Sequence, residues 1–123
     1  MSQSVSVLIV ASPGRLRDGL SVLLQASGFV TAIEQVDDGQ AALRTIAQHP
    51  PQLVLLDAGL ADNQVWQTLQ QIRAGWPHVR CCVLVHTSGQ MNKAHTAGAD
   101  AVIQAGFSVE SFFKTLADLM PST

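Results

Sequence analysis

The sequence contains little charge. Only 13% of its 123 residues are charged, against about 25% in a typical domain, and the net charge is -2. The seven Lys and Arg residues are scattered and form no basic stripe, which argues against direct nucleic-acid binding by this chain. Because 47% of the residues are hydrophobic, the composition also excludes a disordered tail, which would combine low hydrophobicity with high net charge.

The sequence also lacks any long apolar run. No stretch approaches the ~18 residues of a membrane-spanning helix, and the first four residues lack the charged start of a signal peptide. The two cysteines, Cys81 and Cys82, are adjacent and cannot join distant segments, as expected in a reducing compartment. These absences predict one cytoplasmic domain spanning residues 1–123, with no membrane contact.

Short apolar runs alternate with stretches of helical periodicity. There are five such runs: Val5–Val10, Thr31–Ile33, Leu53–Leu56, Cys82–Val85 and Ala101–Ile103. Three of them are nearly continuous rather than alternating, as is typical of strands buried on both faces of a parallel sheet. The segments between them repeat apolar residues at helical spacing, and the fourth of these, within Met91–Ala97, is short and weakly apolar. The order predicts an α/β fold, with a five-stranded parallel sheet between two layers of helices.

Ligands of an open parallel sheet collect at the carboxyl ends of its strands. Asp57 follows the third predicted strand, where a carboxylate can act as a nucleophile or metal ligand, although a strand-end aspartate also often caps the next helix. Thr87 follows the fourth, and its hydroxyl could donate to an anion beside Asp57. Asp37 and Asp38 precede Gly39 and a helical pattern, which favours a turn and an N-cap over a metal site.

Other candidate sites are weaker. The histidines share no metal-ligand spacing and are interpreted as structural or solvated: His49, His78, His86 and His95. The segment Ala11–Gly14 after the first strand has a single glycine and no lysine, so it does not match a nucleotide-binding loop.

The order of these elements resembles the receiver domain of two-component response regulators over Val5–Met120. The matching segments are Val7–Val10, Arg17–Leu24, Asp38–Leu43, Pro51–Asp57, Ile72–Pro77, Val83–Ser88 and Ala97–Asp100. The Arg17–Leu20 and Ala97–Asp100 segments resemble most closely regulators of the LuxR or NarL type. The resemblance implies a flavodoxin-like (βα)5, doubly wound, three-layer fold and a non-enzymatic role in phosphorelay signal transduction.

The resemblance also implies roles for individual residues. Asp57 matches the aspartate that accepts a phosphoryl group from a histidine kinase, with help from Mg²⁺. Gly59 matches the residue whose backbone carbonyl binds the metal, and Thr87 matches the switch hydroxyl that follows the phosphoryl oxygen. The implied partners are a histidine kinase or another signalling protein, and a second copy of the chain in a homodimer built on the first and last helices.

The chain departs from the family pattern at the positions that support the chemistry. Ala11 and Ser12 stand where the family has two acidic residues, Ala105 stands where it has a lysine, and Val102 occupies an aromatic switch position. Only eight residues separate Ser88 from Ala97. The family usually has about twelve there, so the fourth helix is shorter by about one turn of 3.6 residues. Since Mg²⁺ binds through carboxylates, these changes predict no cofactor or a weakly bound Mg²⁺. They indicate a pseudo-receiver with weak or no phosphorylation at Asp57.

Two other functions stay open at this point. One is a working phospho-acceptor with an unusual metal arrangement, and the other is a flavodoxin-like module that binds flavin or another small ligand. The resemblance also leaves open whether the chain is a stand-alone module or a piece of a longer regulator with a C-terminal output domain.

Overall fold

Five parallel strands and five helices alternate along the chain in a computed structural model that describes residues 5–60 and 64–120. In order they are β1 (Ser6–Val10), α1 (Arg15–Ala26), β2 (Ala32–Val36), α2 (Gly39–Gln48), β3 (Leu53–Asp57), α3 (Val65–Gly75), β4 (Arg80–Val85), α4 (Ser88–Thr96), β5 (Ala101–Gln104) and α5 (Val109–Leu119). The strands lie in the order β2-β1-β3-β4-β5. This confirms the predicted α/β, flavodoxin-like fold.

Alternate side chains of each strand face opposite sides of the sheet and form two cores. Val54 and Cys81 face the side covered by α2, α3 and α4, whereas Leu55 and Cys82 face the side covered by α1 and α5. Every residue of β3 is buried, which explains why its sequence is apolar throughout rather than alternating. None of the described helices is long and apolar enough to cross a membrane.

Two elements differ from the predicted boundaries. β2 extends to Val36 instead of ending at Ile33, because an edge strand is exposed and tolerates polar residues such as Glu34. α4 begins at Ser88 rather than within Met91–Ala97, because Thr87 caps it by accepting a hydrogen bond from the Gln90 N–H at 3.1 Å. With nine residues, α4 is nevertheless the shortest of the helices in the described part of the chain, as predicted.

Asp100 joins three elements at the end of the sheet where β4 and β5 begin. Its Oδ2 accepts hydrogen bonds from Arg73 Nη1 at 2.9 Å and from the Cys81 N–H at 2.8 Å. Arg73, near the end of α3, also donates to the Val79 carbonyl at 3.1 Å. The Asp100 side chain is only 16% exposed, so these bonds form a partly buried network that fixes α3 against β4.

The adjacent cysteines occupy both cores and are free thiols. Burial raises the pKa of the Cys81 thiol to about 12, with a further contribution from the negative charge of Asp100. Burial also raises the pKa of Cys82 to about 12, with the neighbouring Cys81 adding to the shift. The thiolate is the reactive form, so both thiols are inert at neutral pH.

We therefore expect a thiol reagent at pH 8 to label the native protein at least about 100-fold more slowly than the urea-unfolded protein. Because a raised pKa keeps the thiolate fraction small, the native rate should climb about tenfold per pH unit from pH 8 to 10 without a plateau. Stopped-flow or mass-spectrometric labelling measures both rates. A plateau near pH 9 would contradict the raised pKa values.

Candidate functional site

Asp57 ends β3 at the carboxyl edge of the sheet, beside the point between β1 and β3 where the strand order reverses. The residue is only 9% exposed. Its Oδ1 accepts a hydrogen bond from the Gly59 N–H at 2.9 Å and lies 2.7 Å from His86 Nε2. Both contacts with described residues fall on the same carboxylate oxygen, so Oδ2 has no hydrogen-bond partner among those residues.

His86 is the side chain that contacts Asp57 from the end of β4. Asp57 pairs in register with Leu84 of β4. His86 follows Leu84 by two positions, so its side chain lies on the same side of the sheet as that of Asp57. With Nε2 as the protonated nitrogen, the imidazole donates a hydrogen bond to the carboxylate. The interpretation of His86 as structural or solvated missed this contact. The alternation of side chains along β4 could have revealed it, once the register with β3 was known.

Gly59 packs closely against this pair. A Cβ atom at position 59 would lie 3.3 Å from both Asp57 Oδ1 and His86 Nε2, which is tighter than ordinary contact. The absence of a side chain at position 59 therefore allows the carboxylate and imidazole to meet. The structure thus brings together two residues predicted from the sequence, Asp57 and Gly59, and one that was not, His86.

Thr87, for which the resemblance implies the role of switch hydroxyl, caps α4 in the structure. It is exposed, and its hydroxyl oxygen accepts the Gln90 N–H as the cap of α4. Gln90 in turn accepts the His86 N–H at 2.6 Å and donates to the Ala58 carbonyl at 3.5 Å. Gln90 therefore links the segment after β4 to the segment after β3, and His86, not Thr87, occupies the place beside Asp57.

Of the four positions that depart from the family pattern, three follow strands at the same edge and the fourth lies within β5. Ala11 is buried directly after β1, and its N–H donates to the Val36 carbonyl at 3.2 Å. Ser12 is half-buried beside it. Ala105, after β5, is exposed, and its N–H donates to the Val85 carbonyl at 2.8 Å. Val102 is half-buried and packs against the core beneath α2, α3 and α4. None of these four side chains supplies a charge to the site.

The guanidinium of Arg17 lies beside Ala11, one of the two positions at which the family has an acidic residue. Arg17 Nη1 donates to the Ala11 carbonyl at 3.2 Å and to Asp37 Oδ1 at 2.5 Å. Its side chain is only 14% exposed, and its Nε is buried with no partner among the described residues. Asp38 caps α2 by accepting the Ala41 N–H at 2.8 Å, as predicted, whereas the pairing of Asp37 with Arg17 was not predicted.

This donor set does not fit Mg²⁺. The ion prefers oxygen ligands and is bound through one or two carboxylates. Among residues 5–60 and 64–120, no group of three or more His, Cys, Asp and Glu side chains could hold a metal ion. Among the described carboxylates at this edge, Asp37 is paired with Arg17, Asp38 caps α2, and Asp57 Oδ1 already accepts from Gly59 and His86.

Comparison with known proteins identifies the family. The family model of the response regulator receiver domain matches residues 7–117. The chain belongs to the response regulator receiver family. It is therefore the receiver domain of a two-component response regulator, a kind of signalling module that is generally not an enzyme. The narrower similarity to the LuxR or NarL type stays a prediction.

Individual relatives agree with this assignment. The chain is 30% identical over 112 residues to the transcriptional regulatory protein KdpE of Mycobacterium tuberculosis, covering 89% of this chain and 48% of that protein. The chain thus spans about half the length of the curated relatives that it matches.

Solved structures share the fold. A response regulator from Chloroflexus aurantiacus has a TM-score of 0.87 and 16% identity, covering 95% of this chain and 98% of the other. The receiver domain of a sensor histidine kinase from Pseudomonas aeruginosa has a TM-score of 0.84 and 18% identity over 95% of this chain and 98% of its own. That structure is described with a magnesium ion coordinated in the active-site cleft.

Proposed function

We propose that this receiver is a pseudo-receiver, which signals through protein–protein contact with weak or no phosphorylation of Asp57. The observation that carries the proposal is the hydrogen bond between His86 Nε2 and Asp57 Oδ1 at 2.7 Å. A side chain of the protein itself occupies the carboxylate oxygen at the centre of the site. The expected partners are a histidine kinase or another signalling protein, and the expected location is the cytoplasm.

Electrostatics supports the same proposal. Phosphoryl transfer depends on positioning and on positive charge that neutralises the oxygens of the phosphoryl group, and a metal ion supplies much of this charge. Here Ala11 and Ser12 provide no carboxylates for a metal, and Ala105 provides no cation. Arg17 does not replace that cation, because its guanidinium is bonded to Asp37 and the Ala11 carbonyl.

The test is phosphorylation by a small donor. We expect the protein, incubated with acetyl phosphate and Mg²⁺, to give no more adduct by intact-mass spectrometry than its Asp57→Asn variant. Alkali distinguishes an adduct on Asp57 from one on the neighbouring His86, since base hydrolyses an acyl phosphate but leaves phosphohistidine intact. A rapid, alkali-labile adduct that disappears in Asp57→Asn would instead establish a working phospho-acceptor with an unusual metal arrangement.

A further inference from the structure

The helices on one side of the sheet contain no acidic residue. α2, α3 and α4 include no Asp or Glu, although the chain has nine acidic residues and a net charge of -2. The helices on the other side, α1 and α5, carry both signs in equal number, with acidic Asp18, Glu110 and Asp118 and basic Arg15, Arg17 and Lys114. The charges of the helices are therefore unevenly distributed between the two layers.

The layer formed by α2, α3 and α4 carries unpaired positive charge. Its Arg and Lys residues are Arg44, Arg73 and Lys93. Arg73 is paired with Asp100, whereas Arg44 and Lys93 are exposed and form no ion pair with any described residue. This layer is thus a surface that attracts negative charge, on a chain that is negative as a whole.

A groove of about 300 Å³ lies between α3 and α4 on this layer and is here called the α3–α4 groove. It is lined by Trp66, Gln70, Asn92, Lys93, Thr96 and Ala97. Trp66 is half-buried and packs against the core, so one part of its indole is held in place while another part lines the groove. This volume is at the lower limit of small-molecule sites, so the groove suits a side chain of a peptide better than a large cofactor.

Polar side chains surround the indole of Trp66. Gln70 and Asn92 are exposed amides, each with donors and an acceptor that could bond to a peptide backbone, and Lys93 adds a charged donor. Tryptophan is enriched among the residues that dominate the binding energy of protein interfaces, where polar neighbours exclude water from the central anchor. The groove therefore has the composition of a protein-binding site rather than of a random surface depression.

The contacts near Asp57 position the start of α4 without a phosphoryl group. Gln90, in the first turn of α4, accepts the His86 N–H at 2.6 Å and donates to the Ala58 carbonyl at 3.5 Å. Thr87 caps the same turn. The chain's own side chains thus tie α4 to the segment that follows β3. A groove that is formed in advance lowers the cost of ordering on binding.

We propose that the α3–α4 groove docks an acidic segment of a partner protein, which packs an apolar side chain on Trp66 and places a carboxylate beside Lys93. This inference rests on the proposed function, because a pseudo-receiver needs a surface that recognises its partner without phosphorylation. The charge of the layer is complementary to such a segment. Nucleic acid is not favoured, because two unpaired cations are too few to neutralise a run of phosphates.

The experiment selects peptides from a phage-displayed library of random dodecapeptides on the immobilised protein. We expect the enriched peptides to share a net negative charge and a large apolar residue. A fluorescein-labelled synthetic copy should bind with a Kd of about 10–100 µM by fluorescence anisotropy. Raising the salt from about 50 to about 500 mM should weaken this binding at least about fivefold, since salt screens exposed charges.

A matched pair of charge reversals locates the peptide. Lys93→Glu should weaken binding at least about tenfold, because it turns attraction into repulsion at the groove. Lys114→Glu makes the same change at an exposed position of α5, on the other side of the sheet, and should leave the Kd unchanged. Equal effects of the two reversals would show a non-specific response to charge and would overturn the proposal.

Trp66 provides a second readout that leaves the groove intact. The chain has two tryptophans, so Trp76→Phe leaves Trp66 as the single one. The peptide should then shift the tryptophan emission to shorter wavelength, because the bound apolar side chain excludes water from the indole. An emission that does not respond to saturating peptide overturns the proposal, and so does a selection that enriches no acidic peptide.

Two further measurements separate this inference from its alternatives. Single-stranded DNA should not bind in the same anisotropy assay, and DNA binding that Lys93→Glu abolishes would make nucleic acid the occupant instead. Asp57→Asn should bind the peptide as the unmodified protein does. Rapid phosphorylation of Asp57 would refute the pseudo-receiver and leave the peptide result standing, whereas failure of the peptide assays would refute the groove alone.

Discussion

A variant with four substitutions should accept a phosphoryl group from acetyl phosphate at least about a thousandfold faster than the unmodified protein. The substitutions are Ala11→Asp, Ser12→Asp, His86→Thr and Ala105→Lys. The first two supply carboxylates for Mg²⁺, and the last supplies a cation for the phosphoryl oxygens. His86→Thr frees Asp57 Oδ1 and places a hydroxyl beside it. Each lost electrostatic contributor can change a rate by about 10²–10³, so the combined gain is large even without additivity.

Two related variants separate the effect of the His86 contact from the effect of the added charges. The triple variant that keeps His86 should react more slowly than the quadruple variant, because the imidazole still occupies Oδ1. The quadruple variant with Asp57→Asn should not react. If the triple and quadruple variants react equally fast, the contact between His86 and Asp57 does not limit the reaction, and the charge deficit alone explains the inactivity.

Stability gives an independent measure of metal binding in the quadruple variant. Ala11 is 1% exposed, so a carboxylate at this position is largely removed from water and should lower the melting temperature. Bound Mg²⁺ stabilises the folded state by mass action, so the melting temperature of the variant should rise with millimolar Mg²⁺. The unmodified protein should show no such rise. A folded quadruple variant that neither binds Mg²⁺ nor reacts would indicate that the shortened α4 misplaces residue 86.

Replacement of Asp100 by alanine should lower the free energy of unfolding by about 2–4 kcal/mol. The change removes the acceptor of the Cys81 N–H and leaves the partly buried Arg73 guanidinium without its carboxylate. The second Asp100 oxygen lies 3.8 Å from Arg80 Nη1, but Arg80 is half exposed and should contribute little. Urea denaturation followed by circular dichroism measures the loss.

Two further variants identify the origin of the stability that is lost in Asp100→Ala. Asp100→Asn retains an oxygen that can accept from Cys81 and loses only the charge, so its effect should be smaller than that of Asp100→Ala. Asp118 is exposed on α5, and Asp118→Ala should change stability by no more than about 0.5 kcal/mol. An Asp100→Ala variant as stable as Asp118→Ala would show that the network around Arg73 contributes nothing to the fold.

The fold could be predicted because its signals are local. Buried parallel strands such as β3 are continuous apolar runs, and helices show their periodicity over single segments. The predicted boundaries were wrong where the start or end of an element depends on its place in the sheet or on a hydrogen bond to another residue. β2 is an edge strand whose polar residues Glu34 and Gln35 look like a loop, and the start of α4 depends on a hydrogen bond between Thr87 and Gln90.

The site could be predicted only in part, for the same reason. Asp57 and Gly59 follow a strand that is obvious in the sequence. The contact between Asp57 and His86 joins residues 29 positions apart and depends on the register of β3 and β4. Both strands are buried on both faces, so they show no alternation of hydrophobicity that would fix this register. Adjacent residues of an extended strand point to opposite sides, so a shift of one residue exchanges the positions of His86 and Thr87 beside the carboxylate.

The separation of the helices into two layers gives the receiver two faces on opposite sides of the sheet, one formed by α1 and α5 and the other by α2, α3 and α4. A protein bound to one face would leave the other face accessible. The receiver could then hold two partners close together, which raises the effective concentration of each toward the other without any covalent modification of the receiver.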